Sequence, residues 1–172
     1  MNFIVSVKKR ERTMEPELND LQRERLQRTA NIAANASWEG DISGLAFALL
    51  RYAGLDVENG YLITSENHFE EGDRRRTDIM VEVLVGRQKV LVIECKRDIS
   101  HPTRTRQQLE GYMQDGGFPN GIIMYPLTTA IFSLDIDADD AQVQSGDTFN
   151  NVTDYEEIMR VMFAMRFLEL ES

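Results

Sequence analysis

At 172 residues the chain is long enough for one domain that buries roughly 70% of the surface its unfolded form would expose, with no need of stapling. Its composition, 42% hydrophobic and 28% charged with a mean hydropathy of −0.38, excludes a disordered, collagen-like or membrane-spanning chain. A net charge of −10 argues against sequence-blind adhesion to phosphate backbones, which needs many Lys and Arg.

Residues 1–36 read as an N-terminal helical extension. The N-terminus places Phe3-Ile4-Val5 before Lys8-Lys9-Arg10, the reverse order of a secretory signal and too short for one. From 15 to 35 the widely spaced Leu18, Leu21, Leu26 and Ile32 predict a peripheral helix over a surface groove. A second helix is expected from Ser37, as N-cap, to Ala53, with Gly54 as its C-terminal stop. Its positions Ile42, Leu45, Ala46, Leu49, Leu50 and Ala53 recur at helical spacing, which makes it a core helix.

The turn Glu58-Asn59-Gly60 predicts a short strand over 61–64, followed by a charged loop over 65–76 that contains His68. Two β-rich runs, 77–85 and 90–96, flank Gly86-Arg87-Gln88-Lys89 and read as a hairpin. The second run is apolar on both faces until its end, as an interior strand must be. Pro102 opens a helix that Asp115-Gly116-Gly117 stops. Strands follow over 121–125 and 129–134, so the plan is α/β with a mixed central sheet flanked by helices.

Residues 135–172 read as an acidic loop to 151 and a last helix over 154–170, with extra helices thus expected at both ends of a core spanning 37–134. The last helix is apolar nearly all round, so it is either buried in the domain or partly faces a second copy in a homodimer. The single cysteine, Cys95, lies in an apolar run, which suits an intracellular, reducing compartment (cytoplasmic or nuclear) and excludes a thiolate metal cluster.

Charge is unevenly distributed. Residues 1–70 hold 8 basic and 11 acidic side chains, 71–106 hold 9 and 6, and 107–172 hold 2 and 12. The positive middle suits a small phosphate-facing groove, and chance clustering is the alternative.

The chemistry concentrates at Asp78 and at Glu94-Cys95-Lys96. Strand side chains alternate, so Glu94 and Lys96 project from one face at one strand end. In a hairpin, the start of the first strand lies beside the end of the second, which brings Asp78 to the same patch. Two carboxylates held together call for a hard divalent cation, and oxygen ligands favour magnesium or manganese, Mg2+ or Mn2+. On the helix expected from Ser37, Glu39 falls at about 60° from Ile42, within the flank of the apolar stripe, whereas Asp41 points elsewhere. A carboxylate at a helix N-terminus is equally explained by the helix dipole.

These residues resemble the PD-(D/E)XK nuclease superfamily. Asp78, Glu94 and Lys96 match its motif position by position, with fifteen residues between Asp78 and Glu94, and Thr77 stands where the motif's proline would be. Glu39 matches an acidic residue that many members have on the first core helix, and Gln108-Leu109-Glu110-Gly111-Tyr112 looks like the Gln-x-x-x-Tyr element of several branches. The stretch 107–124 and the basic run Gly72-Asp73-Arg74-Arg75-Arg76 are most similar to the N-terminal nuclease domains of type I restriction subunits. The resemblance spans about 37–134 and implies a restriction-endonuclease-like αβββαβ core. It also implies a metal-dependent nuclease, a hydrolase of phosphodiester bonds acting on nucleic acid, in particular a DNA endonuclease.

On that resemblance Asp78, Glu94, the Cys95 carbonyl and Glu39 hold the metal, Lys96 completes the catalytic set, and Gln108, Tyr112, Arg74, Arg75 and Arg76 meet the substrate. Tyr112 has a core role as its alternative, and the three arginines have salt bridges to Glu70, Glu71 and Asp73. His68 reads as a loop histidine rather than a ligand. The Asp135-x-Asp137-x-Asp139-Asp140 run lacks the glycine and glutamate of a calcium loop and reads as a solvated acidic loop. The alternative function is a catalytically silent module of the same fold that binds a protein or nucleic acid. No membrane partner is expected.

Overall fold

The computed structural model describes residues 15–68 and 76–166, with the backbone alone at 66–68 and 76–77. It is an α/β structure with a six-stranded, mixed, open sheet and four helices. The elements run α1 (Asp20–Ala34), α2 (Glu39–Tyr52), β1 (Tyr61–His68), β2 (Arg76–Val83), β3 (Lys89–Cys95), α3 (Pro102–Gly116), β4 (Asn120–Met124), β5 (Thr128–Ser133), β6 (Gln144–Asn150) and α4 (Tyr155–Met165). Strand order in the sheet follows chain order, and every neighbouring pair is antiparallel except β3 and β4. That parallel pair needs a crossover, and α3 is it.

Alternation along β3 divides the core. Leu91, Ile93 and Cys95 join Ile79 and Val81 in a cluster with α2, α4 and the buried face of α1. Val92 joins Met80, Ile123 and Phe132 in a second cluster, under Leu109, Tyr112 and Met113 of α3. Both faces of β3 are therefore covered, which explains its unbroken apolar run. Gly121 lets α3 lie close on β4, since a Cβ there would collide with Met113 and approach Leu109 Cδ2 to 3.1 Å. Pro102 occupies the first turn of α3 and Gly117 ends it at φ +71°.

Several expectations need correction. Helix α1 starts at Asp20, where Asn19 and Gln22 form a reciprocal capping box, and it lies outermost, against α2 and α4. It buries Leu26, Ala30 and Ala33, while Leu21 and Ile32 face outward. Helix α2 starts one residue later than the Ser37 cap implies: Trp38 is the extended N-cap and makes no side-chain capping bond. Strand β1 continues through Ser65 to His68, because backbone pairing to β2 extends it beyond its apolar part. The acidic segment after 134 includes a strand, β6, which pairs with β5 at the sheet edge and is almost wholly exposed.

Helix α4 is amphipathic over its described length, with Ile158, Met159, Met162, Phe163 and Met165 buried in the first cluster. Phe167, Leu168 and Leu170 lie outside the described residues. Among the described residues, no helix is long and apolar enough to cross a membrane.

Candidate functional site

The site forms where β2 and β3 part. Their register runs from Val81↔Leu91 through Met80↔Val92 to Ile79↔Ile93. Beyond it β3 stays paired to β4 through Cys95↔Met124, and Lys96 N–H donates to Met124 O at 2.9 Å. The Cys95 N–H turns the other way and donates to Asp78 Oδ2 at 2.6 Å. A carboxylate thus replaces the backbone acceptor that β2 would otherwise supply, and it fixes Asp78 against the strand segment bearing Glu94 and Lys96.

Glu94 and Lys96 share the β3 face of Val92, and Asp78 shares the β2 face of Met80, so all three belong to the side that α3 covers. Lys96 Nζ lies 3.4 Å from Glu94 Oε2, an ionic contact without hydrogen-bond geometry. Glu94 is fully buried, and among the described residues neither carboxylate oxygen has a hydrogen-bond partner. A buried carboxyl without hydrogen bonds is costly to ionise, and the Lys96 contact offsets only part of that cost.

Burial pushes the Glu94 carboxyl up to about 8; the Asp78 charge adds to the rise, and Lys96 opposes it. Lys96 shows the converse balance. Burial alone would lower it, yet the charges of Glu94, Asp78 and Glu39 outweigh that effect and hold it above its usual value. It is therefore a fully protonated ammonium at neutral pH. The Cys95 thiol points to the opposite face, where burial raises it to about 12 despite a hydrogen bond with Ser43. It stays neutral and unreactive.

Glu39 stands apart from this set. Helix α2 packs on the sheet face opposite Asp78, Glu94 and Lys96, and Glu39 is exposed in its first turn. Its charge reaches Lys96 and Cys95. Among the described residues, no three His, Cys, Asp or Glu side chains are grouped to hold a metal ion. The side-chain carboxylates brought together are two, Asp78 and Glu94. The oxygen donors at this strand end that could meet a hard cation are those two carboxyl groups and the backbone carbonyls beside them.

On α3, Gln108 Nε2 donates to Tyr112 Oη at 2.7 Å. Tyr112 is buried in the second cluster, the core position that was its alternative, and Gln108 is half-buried above it. Arg74 and Arg75 lie outside the described residues, as do the side chains of Arg76 and His68, whose backbones pair with each other. Two features escaped the sequence reading. The bond from the Cys95 N–H to Asp78 has no sequence signal. The other is the loop leaving β3, where Arg97 Nη1 donates to Ser37 O at 2.5 Å and fastens the start of α2 to the residue after Lys96. Comparison with protein-family models, curated proteins and solved structures gives no match.

Proposed function

We propose that the chain is a divalent-metal-dependent nuclease, with Asp78, Glu94 and Lys96 as its catalytic set. The observation behind this is the convergence of a fully buried Glu94 carboxyl with Asp78 and with a protonated Lys96, 3.4 Å from Glu94 Oε2, at one splayed strand end. Support for the restriction-endonuclease-like core comes from the succession α2, β1, β2, β3, α3, β4, which follows the αβββαβ order that the motif resemblance implies.

In this reading Asp78, Glu94 and the Cys95 carbonyl hold Mg2+ or Mn2+, and Glu39 contributes through water from the far side of the sheet end. The ion would acidify water and neutralise charge on the scissile phosphate. Filling the site takes the proton from Glu94, so loading is favoured as pH approaches 8. Lys96 stays charged and donates hydrogen bonds to a phosphate oxygen or to the attacking water, where a half-buried ammonium stabilises developing negative charge. Gln108 anchors the Tyr112 hydroxyl, and its amide oxygen is the part left to meet substrate.

The test is incubation of wild-type protein with plasmid, single-stranded circular DNA and RNA, with and without Mn2+. Cleavage should need the ion, fall by about 10²- to 10⁴-fold in Lys96→Ala, and vanish in Asp78→Ala and Glu94→Ala. Equal cleavage by all four proteins refutes the proposal. Failure of wild type on every substrate would favour the silent binding module.

A further inference from the structure

We propose that Trp38 is a stacking platform for an unpaired base, which makes single-stranded nucleic acid, or a strand with unpaired nucleotides, the substrate class of this site. The inference rests on the nuclease reading above. Trp38 is the chain's only tryptophan and is 75% exposed, an unusual state for the largest apolar side chain. It also occupies a helix N-cap, where Ser, Thr, Asp or Asn normally supplies a capping oxygen, and it makes no such bond. Neither core packing nor capping explains an indole at this position.

Its location does suggest a role. The next residue is Glu39, whose charge is felt at Lys96, and the preceding residue accepts the Arg97 bond at its carbonyl. The backbone on both sides of the indole is thus tied to the end of β3 that bears Glu94 and Lys96. Gly40, two residues on, has nothing within 4 Å of where a Cβ would stand, so no side chain crowds that side of the helix start. The loop below it supplies exposed Arg97, and α3 supplies exposed Arg104, in the one stretch of chain with a positive balance. Trp38 and Lys96 each adjoin one residue of the Ser37–Arg97 bond, so the exposed indole stands near the strand end at which a phosphate would be held. Stacking on such a plane is sequence-tolerant, and it requires a base face that a closed duplex does not offer.

Because no other tryptophan is present, Trp38 fluorescence reports on this surface alone. The full chain, in EDTA to prevent cleavage, is titrated with an oligodeoxythymidylate of about twelve residues, an abasic oligomer of the same length, and a blunt duplex. Quenching by the oligodeoxythymidylate is expected, with little from the other two. Trp38→Ala should bind it about 5- to 100-fold more weakly, measured by anisotropy of a labelled strand, and Trp38→Phe should restore most of the affinity.

Equal quenching by the abasic strand, or unchanged affinity in Trp38→Ala, overturns the platform. The two readings fail differently. Wild-type cleavage retained in full by Trp38→Ala removes the platform only, whereas base-dependent quenching with no Mn2+-dependent cleavage supports the platform and removes the hydrolytic role.

Discussion

Replacing Glu94 with Gln keeps the side chain's shape and removes its titration. A carboxyl lifted from 4.5 in the unfolded chain to about 8 in the folded one holds its proton about 5 kcal/mol more tightly when folded. The folded state therefore binds the extra proton, and this group's contribution to stability is intact below the unfolded value. It is lost progressively as pH rises and is fully gone above about 8. Glu94→Gln cannot lose it. Urea unfolding of both proteins in EDTA, across pH 5 to 9, isolates the effect because the other titrations largely cancel in the difference. The variant's stability relative to wild type should grow by about 1.4 kcal/mol per pH unit between pH 5 and 8, then level off. A difference that stays flat over that range would show that Glu94 is solvated, and the case for an electrostatically strained site would fail with it.

The packing supports further expectations. Gly121→Ala should force Met113 and Leu109 away from β4 and cost about 1–3 kcal/mol; an unchanged Tm in heat denaturation would mean that α3 does not lie so close to the strand. Asn151 ties the β4–β5 connection to the end of β6, donating to Tyr125 O at 2.8 Å and Pro126 O at 3.1 Å while accepting from Thr129 Oγ1 at 2.6 Å. Asn151→Ala should leave these buried groups without partners at a cost of about 1–3 kcal/mol, read by urea unfolding, and should accelerate amide exchange in β6.

The parts of the fold that a sequence reveals are those where burial dictates residue type. Lys89–Cys95 had to be an interior strand because no half-exposed strand tolerates Val90-Leu91-Val92-Ile93, and β3 is indeed covered on both faces. Gly54, Gly60 and Gly117 marked ends that require positive φ. Strand β6 was illegible because Gln144, Ser145, Gly146 and Asp147 sit at an exposed edge, where backbone pairing to β5 needs no apolar pattern. The seam of α1 was missed for a related reason: its close contacts use Ala30 and Ala33, which stand out less than the exposed Leu21 and Ile32.

Within the site, strand alternation correctly groups Glu94 with Lys96, and hairpin geometry brings Asp78 to them. Helical periodicity could only say that Glu39 flanks the buried stripe of α2. It could not say that α2 would cover the sheet face away from Asp78 and Glu94, since that choice belongs to the whole topology. The one-residue shift of the N-cap from Ser37 to Trp38 is likewise set by tertiary contact, through the Arg97 bond to the Ser37 carbonyl.

In the proposed function Asp78 and Glu94 together bind a divalent cation. Heat denaturation with increasing Mn2+ tests it without reference to any substrate. At an ion concentration about a hundred times Kd, binding to the folded state alone stabilises by about 2.7 kcal/mol, which in a chain of this size raises Tm by about 5–10 °C. Wild type and Lys96→Ala should show that rise, and Asp78→Ala and Glu94→Ala should not. No rise in wild type, or the same rise in Glu94→Ala, would contradict the account.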